Sequence, residues 1–147
     1  MPAARRVAAA ALVAAAASLA QFTPAATAQP SGPGPTPVIT TVPERPAGGA
    51  TTFVDDPAIT GTHPQTIESW SRLPDDRALA VQFTTGTPEC YGVRAEVQET
   101  ADIVAVKLQS GTLPGLGERA CIAIGVVGTL TVPLQSPLGN RAVVSIT

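Results

Sequence analysis

Three short stretches of strict alternation constrain this chain more than any other feature. Leu79, Val81 and Phe83 alternate with Ala80 and Gln82. Val93, Ala95 and Val97 alternate with Arg94, Glu96 and Gln98, and Val104, Val106 and Leu108 with Ala105, Lys107 and Gln109. Successive side chains of an extended chain point to opposite faces, so each stretch carries one apolar row and one wetter row. This is the pattern of a half-buried strand in an antiparallel sheet. The short Glu99–Thr100–Ala101–Asp102 link makes the second and third stretches a hairpin.

A longer row follows. Ile122, Ile124, Val126, Leu130, Val132 and Leu134 share one parity, with Gly128 in the remaining place. The row predicts a strand from Cys121 to Leu134, with a bulge or a change of sheet at Gly125 and Gly128. A helix over 118–127 competes, since Ile122 and Val126 are four residues apart; its β-branched and glycine content weighs against it. An earlier strand over 66–72 carries Trp70, Pro74-Asp75-Asp76 turns the chain, and a PLGN turn at Pro137–Asn140 leads into a last strand over 142–146. Six to seven short strands separated by Gly/Pro turns predict an all-β domain over residues 51–147. The expected form is a small antiparallel β-sandwich, immunoglobulin-like in general architecture, with a small open barrel as the alternative.

The first residues read as targeting. Arg5 and Arg6 precede Val7–Ala20, an uncharged run of 14 residues, of which 11 are alanine or valine. That is the length of a signal-peptide core and short of the ~20 apolar residues that span a bilayer. Ala26-Thr27-Ala28 supplies the cleavage pattern, giving a signal peptide over 1–28 and a mature start at Gln29. An uncleaved anchor is the alternative, and the arginine pair leaves the general and twin-arginine export routes open. Residues 29–50 carry Pro30, Pro33, Pro35 and Pro37 and read as a disordered Pro/Gly-rich spacer; a P-x-x-P docking peptide is the other reading.

Removal of 1–28 leaves 7 basic residues against 11 acidic ones, a net charge of −4 with no basic cluster. That excludes nucleic acid and anionic membrane surfaces as partners, which need patches of lysine and arginine, and no stable membrane insertion is expected after cleavage. Cys90 and Cys121 are the only cysteines. In an exported chain they are expected to pair, joining the start of one strand to the start of the long one.

Chemistry-bearing groups are sparse. His63 is the only histidine and stands in a loop-like GTHP segment, with no nucleophile elbow, zinc-protease motif or local acid around it. Asp55-Asp56 and Asp75-Asp76 lack the spacing of a calcium loop and read as turn residues that bond to their own backbone. No catalytic residue, metal site or cofactor is expected. Tyr91, beside Cys90, is expected to pack over the sulfurs, the alternative being contact with a partner. Phe53, Phe83 and Trp70 are assigned to the core.

The combination ESW, GTPECYG, ETAD, RACIA around Cys121 and PLGNR, spread over 61–146, resembles a family of small exported proteins of high-GC Gram-positive bacteria. The resemblance implies export and places Cys90 and Cys121 at the two cysteine positions; it carries over no catalytic residue, ligand or cofactor. Pro137, Leu138, Gly139 and Arg141 fill the PLGxR element, with Asn140 where the family more often has aspartate. In physical terms Pro137 sets φ, Gly139 can take positive φ, and Arg141 can reach Glu96 or Glu118, or offer its guanidinium to an anionic partner.

These readings lead to a non-enzymatic secreted or cell-envelope β-domain, a binding or structural module with an extracellular or envelope protein as partner. A protease inhibitor presenting Leu113–Gly117 as a disulfide-fixed strand is the second reading. A hydrolase built on His63 is the third.

Overall fold

The three alternating stretches fold as strands, and the last of them becomes the spine of a sheet. The structure, a computed structural model, describes Gly34 and residues 36–147. The expected signal peptide over 1–28 and the first residues of the expected spacer lie outside the described residues. In chain order the strands are β1 (Ile39–Thr41), β2 (Thr51–Phe53), β3 (Thr60–Pro64), β4 (Ser69–Arg72), β5 (Ala78–Thr85), β6 (Tyr91–Glu99), β7 (Ile103–Thr112), β8 (Val126–Pro133) and β9 (Ala142–Ile146). No helix occurs among the described residues.

One edge of β7 pairs with all of β6, from Tyr91 opposite Thr112 to Glu99 opposite Val104. Its other edge is shared between β9, parallel over Ile103–Val106, and β3, antiparallel near Thr112. β1 closes this sheet on β9. The second sheet runs β2-β8-β5-β4, with β2 parallel to β8. The all-β sandwich stands, with two corrections: the strands number 9 rather than six or seven, and the sheets are mixed rather than purely antiparallel. The added strands β1, β2 and β3 are only 3 to 5 residues long, too short to display a period. Parallel partners come from distant parts of the chain, which local alternation does not report.

Both sheets supply the core. Val93, Val104, Val106 and Leu108 of the first, and Leu79, Val81, Phe83, Leu130 and Val132 of the second, are at most 2 % exposed. Phe53 packs edge-on against Phe83 with ring centroids 5.5 Å apart. Gly128 lies under this pair: a Cβ there would stand 2.6 Å from Phe83 Cε2 and 2.8 Å from Phe53 Cε2. It sits opposite Phe83 in an unbroken register, so the bulge expected at Gly128 is absent. The glycine makes room for two rings.

The spacer boundary also needs correction, because residues 38–45 belong to the folded domain. Val38 and Thr147 exchange backbone hydrogen bonds of 2.9 and 3.0 Å, and Val42 N–H donates to Val143 C=O at 3.1 Å. The chain then passes to β4, where Trp70 N–H donates to Pro43 C=O at 3.0 Å and the indole Nε1 donates to Val42 C=O at 3.1 Å. Val42 is 4 % exposed. The Val38–Val42 run is β-branched throughout, and Pro37 and Pro43 bracket it without interrupting it. On an edge strand a flanking proline removes no needed donor.

The long strand is shorter than expected. β8 begins at Val126 rather than Cys121, because β5, its hydrogen-bonded neighbour in the sheet, ends at Thr85, the partner of Val126. Residues 119–125 run with neither turn, bend nor pairing. A chain taking that course is extended, and its residues 122–125 are exposed.

Candidate functional site

The two ends of the sandwich are closed by different devices. At one end, β6 stops at Glu99 and the chain enters β9 just after Arg141. The Arg141 side chain is 9 % exposed and uses all five of its donors. Nη1 donates to Glu99 Oε2 at 2.8 Å and to Thr100 C=O at 3.4 Å; Nη2 donates to the carbonyls of Ser136 and Pro137 at 2.7 and 2.8 Å; Nε donates to Leu138 C=O at 3.3 Å. The partner is thus Glu99, not Glu96 or Glu118. Glu96 lies further inside β6, and Glu118 belongs to the loop at the opposite end. No donor of Arg141 remains for an outside anion.

Glu99 is held from a second side, accepting the N–H groups of Gln135 at 2.6 Å and Ser136 at 3.2 Å. The Gln135 N–H, followed by the Arg141 guanidinium, lowers its carboxyl below the ordinary value against the opposing effect of partial burial. Gly139 has φ 54°, the left-handed conformation the turn requires, and its N–H donates to Asp76 Oδ2 at 3.2 Å. Leu138 is fully buried. A shallow concavity of about 580 Å³ opens over this network, but its wall groups are already bonded to one another. PLGNR is a clasp.

The other chemistry-bearing residues are similarly engaged. Asp55 accepts Ala95 N–H at 2.7 Å, Asp56 accepts Ala58 N–H at 2.8 Å and Asp75 accepts Arg77 N–H at 3.0 Å. Asp76 pairs with Arg72 at 3.0 Å. Among the described residues no group of three or more His, Cys, Asp or Glu is placed to hold a metal ion. His63 lies on β3, whose residues are all exposed. Across from it, Ser110 is 1 % exposed and its hydroxyl shares a hydrogen bond of 2.8 Å with Thr85 Oγ1. The hydroxyl in register with His63 therefore serves as a tie between the two sheets. Tyr91 lays its ring against Gly86, where a side chain would have no room.

The opposite end holds the disulfide. Cys90 and Cys121 are bonded, with Cα atoms 6.0 Å apart. Each lies in a connection that passes from one sheet to the other: β5 to β6 for Cys90, β7 to β8 for Cys121. The bond therefore joins two crossovers: Cys90 stands directly before Tyr91 at the start of β6, as expected, whereas Cys121 precedes the start of β8 at Val126 instead of opening that strand. Leu113–Gly117, expected as a preorganised strand, forms consecutive turns with Gly115 at φ 75° and Gly117 at φ 56°. The turns close where Arg119 N–H donates to Leu116 C=O at 3.1 Å.

Beyond them the chain straightens, and this stretch is the candidate site. Cys121 is half-buried and anchored by its sulfur; Val126 is anchored in the sheet opposite Thr85. Between these anchors Ile122, Ala123, Ile124 and Gly125 are all exposed, Ile122 at 61 % and Ile124 at 53 %. They continue the apolar row that β8 buries through Leu130 and Val132, but both isoleucines stand in solvent. Periodicity marked both isoleucines as core residues. They precede the strand, whose pairing with β5 starts only at the Thr85–Val126 pair, a boundary that no local pattern in 121–134 encodes. Glu99 was missed for a related reason, since its role arises only when the β6–β7 hairpin meets the turn before β9.

The chain matches no protein-family model, no curated protein and no solved structure.

Proposed function

We propose that this protein is a non-enzymatic, extracytoplasmic binding module that engages a protein partner through residues 121–125. The observation that carries the reading is the exposed Ile122–Gly125 stretch, apolar and fixed at both ends, in a domain whose charged residues are largely engaged in holding the fold. Isolated exposed apolar residues are ordinary on protein surfaces. Two exposed isoleucines two residues apart on an unpaired, tethered stretch form a surface that association would cover. The disulfide agrees with an oxidising compartment, and among the described residues no helix is long and apolar enough to cross a membrane. The signal-like first 28 residues and the resemblance to small exported proteins support secretion or residence in the cell envelope.

The test is affinity capture from culture medium and cell envelope with the oxidised protein, in parallel with an Ile122→Ser/Ile124→Ser variant. Both side chains are already in solvent, so the variant should keep the parent's urea midpoint. A partner retained by the parent and lost by the variant is expected. A partner held equally by both would overturn the assignment of the site.

A further inference from the structure

Resting on the binding-module reading, we infer that the partner is an extracellular endoprotease whose primary pocket accepts small aliphatic side chains. Residues 121–125 lie in its cleft as a substrate-like strand, with Ala123 in the pocket. Endoproteases bind their substrates as extended strands, pairing with the backbone and sampling alternate side chains in separate subsites. A flexible peptide loses most of its binding energy to ordering, and a strand already held extended avoids that loss. Here only four residues separate a disulfide-anchored cysteine from a sheet-anchored valine. Both ends of the stretch are fixed, and every residue between them faces solvent.

The side chains set the class of enzyme. Primary pockets divide into those that pair a basic residue, those that take an aromatic ring and those that admit only small groups. Ile122, Ala123 and Ile124 offer neither charge nor ring. Arg119 is the only basic residue of the connection, but it sits where the turn closes on Leu116, so the residues before it are not extended. Ala123 stands between the two isoleucines and is exposed like them. It is also the unbranched choice, since a β-branched side chain crowds the position next to a scissile bond. Ile122 and Ile124 then occupy the flanking subsites.

The test is inhibition of elastase, trypsin and chymotrypsin by the full-length oxidised chain, with Ala123→Arg as the decisive variant. Reversible competitive inhibition of elastase at about micromolar concentration or below is expected, with trypsin and chymotrypsin unaffected. Ala123→Arg should weaken elastase inhibition by about tenfold or more and create inhibition of trypsin. Three results would each overturn the inference: no inhibition of elastase, a profile unchanged by Ala123→Arg, or hydrolysis at Ala123 as fast as that of a linear peptide of the same sequence. Capture that depends on Ile122 and Ile124 without elastase inhibition would remove the protease and leave the binding-module reading in place.

Discussion

Single atoms decide two features of this domain. Gly128 faces the core where Phe53 and Phe83 meet, and a Cβ would stand 2.6 Å from one ring. Gly128→Ala should therefore cost about 1–3 kcal/mol, as overpacking does in well-filled cores, read as a lower urea midpoint at unchanged slope. The Glu99–Arg141 pair is the other. Removing one partner leaves the second partly buried with its charge uncompensated, so Arg141→Ala should destabilise by about 3–5 kcal/mol. Lysine cannot restore the five-bond geometry. The pair also sets an acid limit. The folded-state carboxyl of Glu99 lies below its ordinary value of 4.5. Its contribution is therefore complete above that pH and is lost as pH falls from 4.5 through the folded value. In pH-dependent urea unfolding, Glu99→Gln should be less stable than the parent above pH 4.5, with the difference narrowing below it. A constant difference at all pH values would mean that the ionised carboxylate is not the stabilising species.

At the scale of elements, the outcome turns on the short edge pieces. β1 is only 3 residues long, yet the run it belongs to bonds to β9 on one side of the sandwich and to Trp70 on the other. A chain starting at Thr51 should be less stable than one starting at Thr36 by at least about 2 kcal/mol, from the burial of Val42 alone. Trp70 is the sole tryptophan, so the loss of its Val42 cover should move its fluorescence emission to longer wavelength. Identical emission and midpoint for the two chains would return residues 38–45 to the status of a spacer. Alternation was legible in β5, β6 and β7, where one face is buried or half-buried along most of the strand. It failed in β1 because prolines surround it, and in β3 because all its residues are exposed and carry no apolar row.

Across the whole molecule, a covalent bond secures one end and an ionic clasp the other. The disulfide closes a separation of 31 residues, for which chain entropy gives about 3–4 kcal/mol. Reduction should lower the denaturant midpoint accordingly while leaving the far-ultraviolet strand signature in place, because the core rows lie between the sheets rather than at the bond. Collapse of that signature on reduction would show that the bond is required for the fold itself. The crossovers that the disulfide joins are also those that position residues 121–125, so its loss should loosen the candidate site even where the sandwich persists.

The amino-acid sequence alone determined the class of structure: period-two rows with buried valines and leucines have few ways to satisfy backbone and core other than paired sheets. It also determined the disulfide, since two cysteines allow one internal pairing, and the left-handed turn at Gly139. Tertiary structure decided where each row stops being covered. Ile124 and Leu130 belong to the same row, but only Leu130 lies in the sheet: pairing with β5 ends at the Thr85–Val126 pair, so the chain before Val126 is outside the sandwich and its isoleucines are exposed. It likewise chose Glu99 for Arg141, by bringing the end of β6 against the turn before β9. Side-chain periodicity is local and encodes orientation, whereas burial and partnership depend on the ends of strands distant in the chain.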